Sequence, residues 1–368
     1  MVDALKKLDK KFLIFAGCII LLPILLIIFL AIIQGCSNRK MTYESYEQKM
    51  ISATERYLKN NVPTEESEMI VVSLNALVEK SYIKPSKKAL DDSCTGEVTV
   101  RRNGASVESN NGGFLNYTVS LNCENYNTVH LFDKITSEVV TSDSGLYLVG
   151  EDYIFKGNKV NNYINFFGQD YRIMSINKDG IIKLIKSEPE GSQRIWDNKF
   201  NSEANATYGK SIYKDSVILG YLLADYKNSK KISKAARQHI VAQDVCVGKR
   251  ASDNYSISKD IDCSEVLENQ VISLINVSDY AMASTDPDCD STASRSCRNY
   301  NYLSTVALST WTLNSSSDNT YDVFFISDGL QESQKASSYN EYSIVIYIDG
   351  NELYTTGTGS SGNPYIVK

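Results

Sequence analysis

DYRIMSINKDGIIKLI, residues 170–185, is the stretch that decides the fold. Residues 171–176 and 181–185 are apolar runs, and Asn177-Lys178-Asp179-Gly180 between them has hairpin-turn chemistry, with glycine at the tight corner. Strand-like runs at 153–155 and 162–167 precede it. A helix is expected over 211–226, with Ile212, Val217, Ile218, Tyr221 and Leu222 as its apolar face, and a shorter one over 233–240. Strands return at 271–275, 309–313, 321–326, 343–348 and 365–367. This order predicts an α+β domain with mixed and antiparallel sheets.

At 368 residues, 42% hydrophobic and 22% charged, the chain is long enough for two ordinary domains and too apolar to be wholly disordered. Its 38 basic and 44 acidic residues give a formal charge of -6, which argues against nucleic acid as a partner. The two histidines, His130 and His239, lie far apart without cysteine or carboxylate at ligand spacing. Histidine-built zinc sites and histidine-relay hydrolases are therefore disfavoured.

Residues 12–33, FLIFAGCIILLPILLIIFLAII, carry no charge and as a helix would span roughly 33 Å, the depth of a bilayer core. Lys6, Lys7, Lys10 and Lys11 precede this run, so the positive-inside rule places residues 1–11 in the cytoplasm and the chain after about residue 34 outside. The expectation is a single-pass protein of the cell membrane with extracellular domains. A lipoprotein anchored at Cys36, which follows Ile33-Gln34-Gly35, is the alternative.

Cys18 and Cys36 belong to that segment, leaving Cys94, Cys123, Cys246, Cys263, Cys289 and Cys297, an even set that an oxidising compartment can pair. Several connectivities are open. The local couples Cys94–Cys123, Cys246–Cys263 and Cys289–Cys297 are favoured because each closes a short loop inside one domain. No two of the six have C-x-x-C spacing, which speaks against a thiolate metal or redox site.

The first unit is expected over 41–128. Tyr43, Tyr46, Met50, Ala53, Tyr57 and Leu58 recur at helical spacing over 42–60, and Ser73 is the N-cap of a second helix that stops by Pro85. Two alternating strands follow at 97–101 and 116–122. Residues 129–146 are expected to link this unit to the second, 147–368.

A membrane helix, a helical stalk, a short helix and a disulfide-closed hairpin resemble the pilin-like ectodomains of Gram-positive surface proteins. The prepilin cleavage point is absent, since Phe12 follows Lys11, so no processing into a fibre is implied. The second unit resembles the C-type-lectin-like superfold of bacterial surface proteins, in the branch related to sulfatase-modifying-factor and major-paralogous domains. Four stretches carry this likeness: 170–184, 272–281 (ISLINVSDYA), 301–313 (NYLS leading to STWTL) and 359–367 (GSSGNPYIV). Departures from the pattern are Tyr171 for the commoner Trp, Asn276 for Thr, and Asn314-Ser315 for Ser-Pro.

Several motifs carry candidate chemistry. Asp286, Asp288 and Asp290 alternate in a loop and would offer calcium oxygen ligands, although Ser291 and Cys297 occupy the positions where an EF-hand needs Gly and Glu. Gly357, Gly359 and Gly362 satisfy G-x-G-x-x-G, but no helix can follow to meet a pyrophosphate. Ser37, Ser211 and Ser256 each precede a Lys by three residues, without the Lys-Thr-Gly of acyl-transfer enzymes. Related sulfatase-modifying enzymes use a reactive cysteine pair, which here would be Cys289 and Cys297. Lys227, Lys230, Lys231, Lys234 and Arg237 form a basic cluster read as a solvated face. Trp196, Trp311 and the 24 tyrosines supply aromatic surface suited to sugars, with Trp311 placed in the core. The resulting expectation is a non-catalytic recognition or adhesion protein of the cell surface that binds a glycan or a protein partner, with no cofactor except, on the Asp286 loop, calcium. A structural envelope or pilus-related component, and an enzyme of envelope protein maturation, are the alternatives.

Overall fold

The computed structural model describes residues 40–64, 69–102, 115–290, 296–307 and 309–367. The apolar run 12–33 and Cys36 lie outside them, and among the described residues no helix is long and apolar enough to cross a membrane. The longest described helix has 16 residues, short of the roughly 20 that a bilayer requires. The single-pass, cell-membrane expectation is corrected on this point: no described helix supplies its anchor. The balance of secondary structure is corrected too, because strand accounts for 38% and helix for 22%. Polar strands at 190–195 (EGSQRI) and 330–335 (LQESQK) contribute to the excess, and they lack the alternation that marks a strand in sequence.

In the first unit, α1 (Tyr43–Leu58) is capped by Thr42, whose hydroxyl accepts from Ser45 N at 3.2 Å. Strand β1 (Met69–Ser73) runs directly into α2 (Leu74–Glu79), with Ser73 as N-cap, and α3 (Ser86–Ala89) follows. Strands β2 (Cys94–Arg102) and β3 (Leu115–Cys123) complete an antiparallel sheet of order β1-β2-β3. Val98, Val100, Val119 and Leu121 on this sheet bury against Tyr46, Met50 and Ala53 of α1 and Leu77 of α2. The register sets Cys94 opposite Cys123, and the two form a disulfide. Glu47 is 2% exposed on the buried side of α1 and accepts from the Tyr126 hydroxyl at 3.1 Å and from Thr128 Oγ1 at 2.5 Å. Burial raises its pKa, and these hydroxyls, Thr128 first, only partly oppose the rise.

The expected linker 129–146 is structured. It holds α4 (Leu131–Thr136), whose Leu131 and Ile135 bury in the core of the second unit, and the start of β4 (Gly145–Val149). Strands β5 (Asp152–Lys156), β6 (Tyr163–Phe166), β7 (Gln169–Ile176), β8 (Ile181–Lys186) and β9 (Glu190–Ile195) follow. The hairpin β7–β8 turns where expected: Gly180 has φ +79°, and Asn177 Oδ1 accepts from Asp179 N and Ile181 N. Ser216 caps α5 (Val217–Lys227) and Ser233 caps α6 (Lys234–His239). Then come β10 (Gln243–Cys246), α7 (Lys259–Asp262), β11 (Val266–Gln270) and α8 (Val277–Met282). The chain continues through β12 (Ser309–Ser315), β13 (Asp322–Ser327), β14 (Leu330–Lys335), β15 (Tyr339–Tyr342), β16 (Val345–Asp349) and β17 (Tyr365–Val367).

These strands form a sheet of order β14-β13-β12-β15-β9 and a larger one with the path β16-β8-β7-β5-β4, to which β6 joins at β7 and β17 joins parallel to β6. A two-stranded ladder, β10-β11, lies apart. Residues 271–275 do not form the strand that their composition predicts. They span the two large sheets instead, Ser273 bridging to Val345 and Ile275 to Thr312. Both tryptophans are fully buried and tie β12 to the chain at the end of β9: Trp196 Nε1 donates to Thr312 O at 3.1 Å, and Trp311 Nε1 to Arg194 O at 2.8 Å.

One buried ionic knot joins four segments of this unit. Asp262 Oδ1 accepts from Arg250 Nε at 2.5 Å and from Asn314 Nδ2 at 2.8 Å, while its Oδ2 accepts from Ser278 N at 3.1 Å. Arg250 Nη1 donates to Ser256 O at 2.7 Å, and Asn314 Oδ1 accepts from Val277 N at 2.8 Å. Gly248 closes against this knot, its N donating to Asp262 O at 2.6 Å. A Cβ there would lie 2.5 Å from Ile261 O, so no larger residue fits.

Asp262→Ala strips a buried guanidinium of its counter-ion, and the expected loss is about 3–5 kcal/mol in urea-monitored stability; a loss below about 1 kcal/mol would show that the knot is dispensable. Glu47 has a folded pKa raised above its unfolded value, so the folded state loses relative stability as pH rises through the ordinary carboxylate range. Glu47→Gln, whose amide oxygen still accepts both hydroxyls, is accordingly expected to melt higher than the parent at pH 7 and to match it below about pH 4. Parallel melting curves at both pH values check this.

Candidate functional site

A cleft of about 980 Å³ opens where β6 and β7 meet the segment 298–305 and the chain before β17. Its floor starts from Arg172 on β7, one of four consecutive buried residues in that strand and only 4% exposed. The sheet register puts Tyr163 of β6 directly across from Arg172, and the guanidinium carbon lies over the Tyr163 ring at 3.7 Å. It also lies over the ring of Tyr302 at 4.9 Å. Asn162, fully buried, accepts from Arg172 Nε at 2.6 Å and donates to Ile173 O at 2.6 Å, fixing both ends of its amide. Burial lowers the Arg172 pKa while Tyr302 and Tyr163 act in the opposite sense, and arginine begins so high that the group stays cationic.

The second wall is held by Asn301. Its Nδ2 donates to Tyr280 O and Cys297 O, both at 2.8 Å, and its Oδ1 accepts from Leu303 N at 2.9 Å, capping a short 3-10 turn Tyr302–Ser304. Tyr302 N donates to Gly157 O at 2.9 Å. Beside this turn Tyr300 has φ +47° and is 59% exposed, a bulky residue held in the left-handed region with its ring at the cleft. The third wall, Ser360 and Ser361, is positioned through Gly359, whose carbonyl accepts from Tyr163 N at 2.8 Å. At Gly359, with φ +72°, a Cβ would meet Asn161 O at 2.4 Å. The glycines of the apparent G-x-G-x-x-G motif thus serve a close backbone approach at Gly359 and, at Gly357, packing on Pro364.

The sequence-derived candidates sit elsewhere. Asp286 spends its oxygens on neighbours, Oδ1 accepting from Asp288 N at 3.0 Å and Oδ2 from Asn299 Nδ2 at 2.9 Å, and the side chain of Asp290 lies outside the described residues. Asp286 and Asp288 are therefore not brought together with a third described ligand. Among the described residues the grouping with metal-like spacing is Asp92, Cys94 and Cys123, whose thiols are joined in a disulfide. Cys246–Cys263 and Cys289–Cys297 are likewise bonded, and the latter pair is buried, leaving no accessible thiol there for oxidase chemistry. The basic cluster is dispersed: Lys231 pairs with Glu190 and Asp225, and Arg237 turns inward to donate to Ile232 O at 2.7 Å. Ser211 is buried, the Ser256 hydroxyl accepts from Ser258 N at 3.2 Å, and Ser37 lies outside the described residues. Trp196 and Trp311 are core residues, so neither offers a stacking face.

Sequence reasoning missed Arg172, Tyr163, Tyr300 and Tyr302 as a group. The available signal was an arginine inside an otherwise apolar strand, a position where a charge must be compensated. Comparisons with known proteins add nothing to this geometry: no family model, no curated protein and no solved structure matches the chain.

Asn301→Ala leaves three buried backbone groups without their partner and is expected to cost roughly 2 kcal/mol or more, whereas Tyr300→Ala stays within about 0.5 kcal/mol of the parent. Denaturant midpoints for the two variants would separate the structural residue from the exposed one. Equal midpoints would contradict the assignment.

Proposed function

We propose that this chain is a non-catalytic recognition protein that binds carbohydrate in the cleft around Arg172 and Tyr300. The observation that carries the reading is the lining itself, built from the amides of Asn158, Asn161 and Asn299, the hydroxyls of Ser304, Thr305 and Ser360, and tyrosyl rings. Amides and hydroxyls match the donor and acceptor pattern of a sugar, and an exposed ring such as Tyr300 offers an apolar face with a polar edge. Among the described residues the lining presents amides, hydroxyls, tyrosyl rings and cations without a carboxylate, histidine or cysteine, a set suited to holding a polar ligand. The likeness of the second unit to a C-type-lectin-like scaffold supports the same reading, since stretches 170–184, 301–313 and 359–367 each contribute to the cleft.

The test is a glycan screen with the full chain, followed by titration of the best binder against the parent and Tyr300→Ala. Saturable binding that weakens about tenfold in the variant, equivalent to about 1.4 kcal/mol, is expected. Absence of any glycan binding, or binding indifferent to Tyr300, would sink the reading.

A further inference from the structure

The charge of the cleft carries the reading a step further. Lys159, Arg172 and Arg298 line it, in a chain whose formal charge is -6, and among the described residues no acidic side chain does. Arg298 lies at the rim, exposed and paired with Asp328 at 2.8 Å. Arg172 is different in kind, because taking a cation out of water costs several kcal/mol unless an anion or a full set of acceptors compensates. Buried Arg250 meets that condition by pairing with Asp262 and part-buried Lys183 by pairing with Asp279, while buried Arg237 meets it with the carbonyls of Tyr226, Lys227 and Ile232. Arg172 is held by one amide oxygen and two aromatic rings, and no carboxylate of the described residues pairs with it. Its guanidinium carries five N–H donors, more than this one oxygen uses, and the residue borders the cleft.

We infer that Arg172 is the ligand-charge-recognising residue of this cleft and that its ligand is an acidic sugar, a glycan bearing a carboxylate. This rests on the carbohydrate reading above. Tyr163 at 3.7 Å covers a face of the guanidinium, so a ligand meets its edge. An edge-on approach suits a planar carboxylate, which takes two parallel N–H bonds from the fork. Lys159 adds a second positive charge at the same opening, which steers an anion toward the site. The Ser304 and Thr305 hydroxyls, whose protons go to Asn301 O and Tyr302 O, keep acceptor lone pairs for the sugar's hydroxyls.

The experiment compares a panel of uronic-acid oligosaccharides with their methyl esters by calorimetric titration on the full chain. The expected result is at least tenfold tighter binding of the free acids, an advantage that shrinks as salt rises from about 50 to 500 mM. Arg172→Gln, checked for folding by circular dichroism, is expected to erase the preference for acid over ester while retaining weak binding of both. Lys159→Gln, on the surface, is expected to reduce the preference without affecting the fold, so the test stands even if Arg172→Gln does not fold. Equal binding of acids and esters overturns the carboxylate assignment and leaves the carbohydrate reading standing. Binding of neither form overturns both, and stronger binding of a peptide with a free C-terminal carboxylate overturns the sugar.

Discussion

A single buried carboxylate, Asp262, fixes how the second unit is assembled. It is too deep to be solvated and therefore must collect donors, and those donors come from distant segments: Arg250 after β10, Asn314 on β12 and Ser278 at the start of α8. Its hold on α8 is transmitted onward. The carbonyl of Tyr280 in α8 accepts from Asn301, Asn301 caps the turn that carries Tyr302, and Tyr302 lies beneath the Arg172 guanidinium. The cleft is thus the far end of a chain of hydrogen bonds that begins at an ion pair. The adjacent Cys246–Cys263 disulfide closes the loop bearing Arg250 and Asp262, so the two covalent ends cannot drift apart if the knot loosens.

Local rules exposed the parts of the fold that local rules control. The Asn177–Gly180 turn and the serine caps at Ser73 and Ser233 stand as their residue types require, because turn and cap geometry are set within a few residues. α5 begins later than the expected 211 because Ser216 caps it, while Ser211 is buried and its amide donates to Thr320 O. Strands such as β9 (EGSQRI) and β14 (LQESQK) were illegible, since polar residues on them are tolerated wherever a neighbouring strand supplies the ladder. Residues 271–275 misled in the opposite direction. Their apolar, β-branched composition reflects burial between two sheets, which periodicity cannot distinguish from membership of one.

The site was less legible than the fold, and for a physical reason. Its members come from 158–172, 298–305 and 360–361, and no window of sequence contains a recognisable motif for them. Charge-dense stretches drew attention first, yet Asp286 accepts from Asp288 N and Asn299, and Lys231 pairs with Glu190 and Asp225. The informative residue was the inconspicuous one: Arg172 between Tyr171 and Ile173, both buried, was the single cation in a stretch otherwise fit for a core.

The parallel pairing of β17 with β6, Tyr365 opposite Ile164, has a temporal meaning as well as a spatial one. During synthesis the strand β6 exists long before its neighbour, so that edge of the large sheet waits unpaired until almost the whole unit has been made. Contacts so distant in sequence form late and slowly, since closing a long loop costs entropy before it returns any bonding. The same final stretch supplies Ser360 and Ser361 to the cleft. The cleft is therefore completed only when β17 is in place, and a nascent or truncated chain presents neither a closed sheet nor a complete cleft.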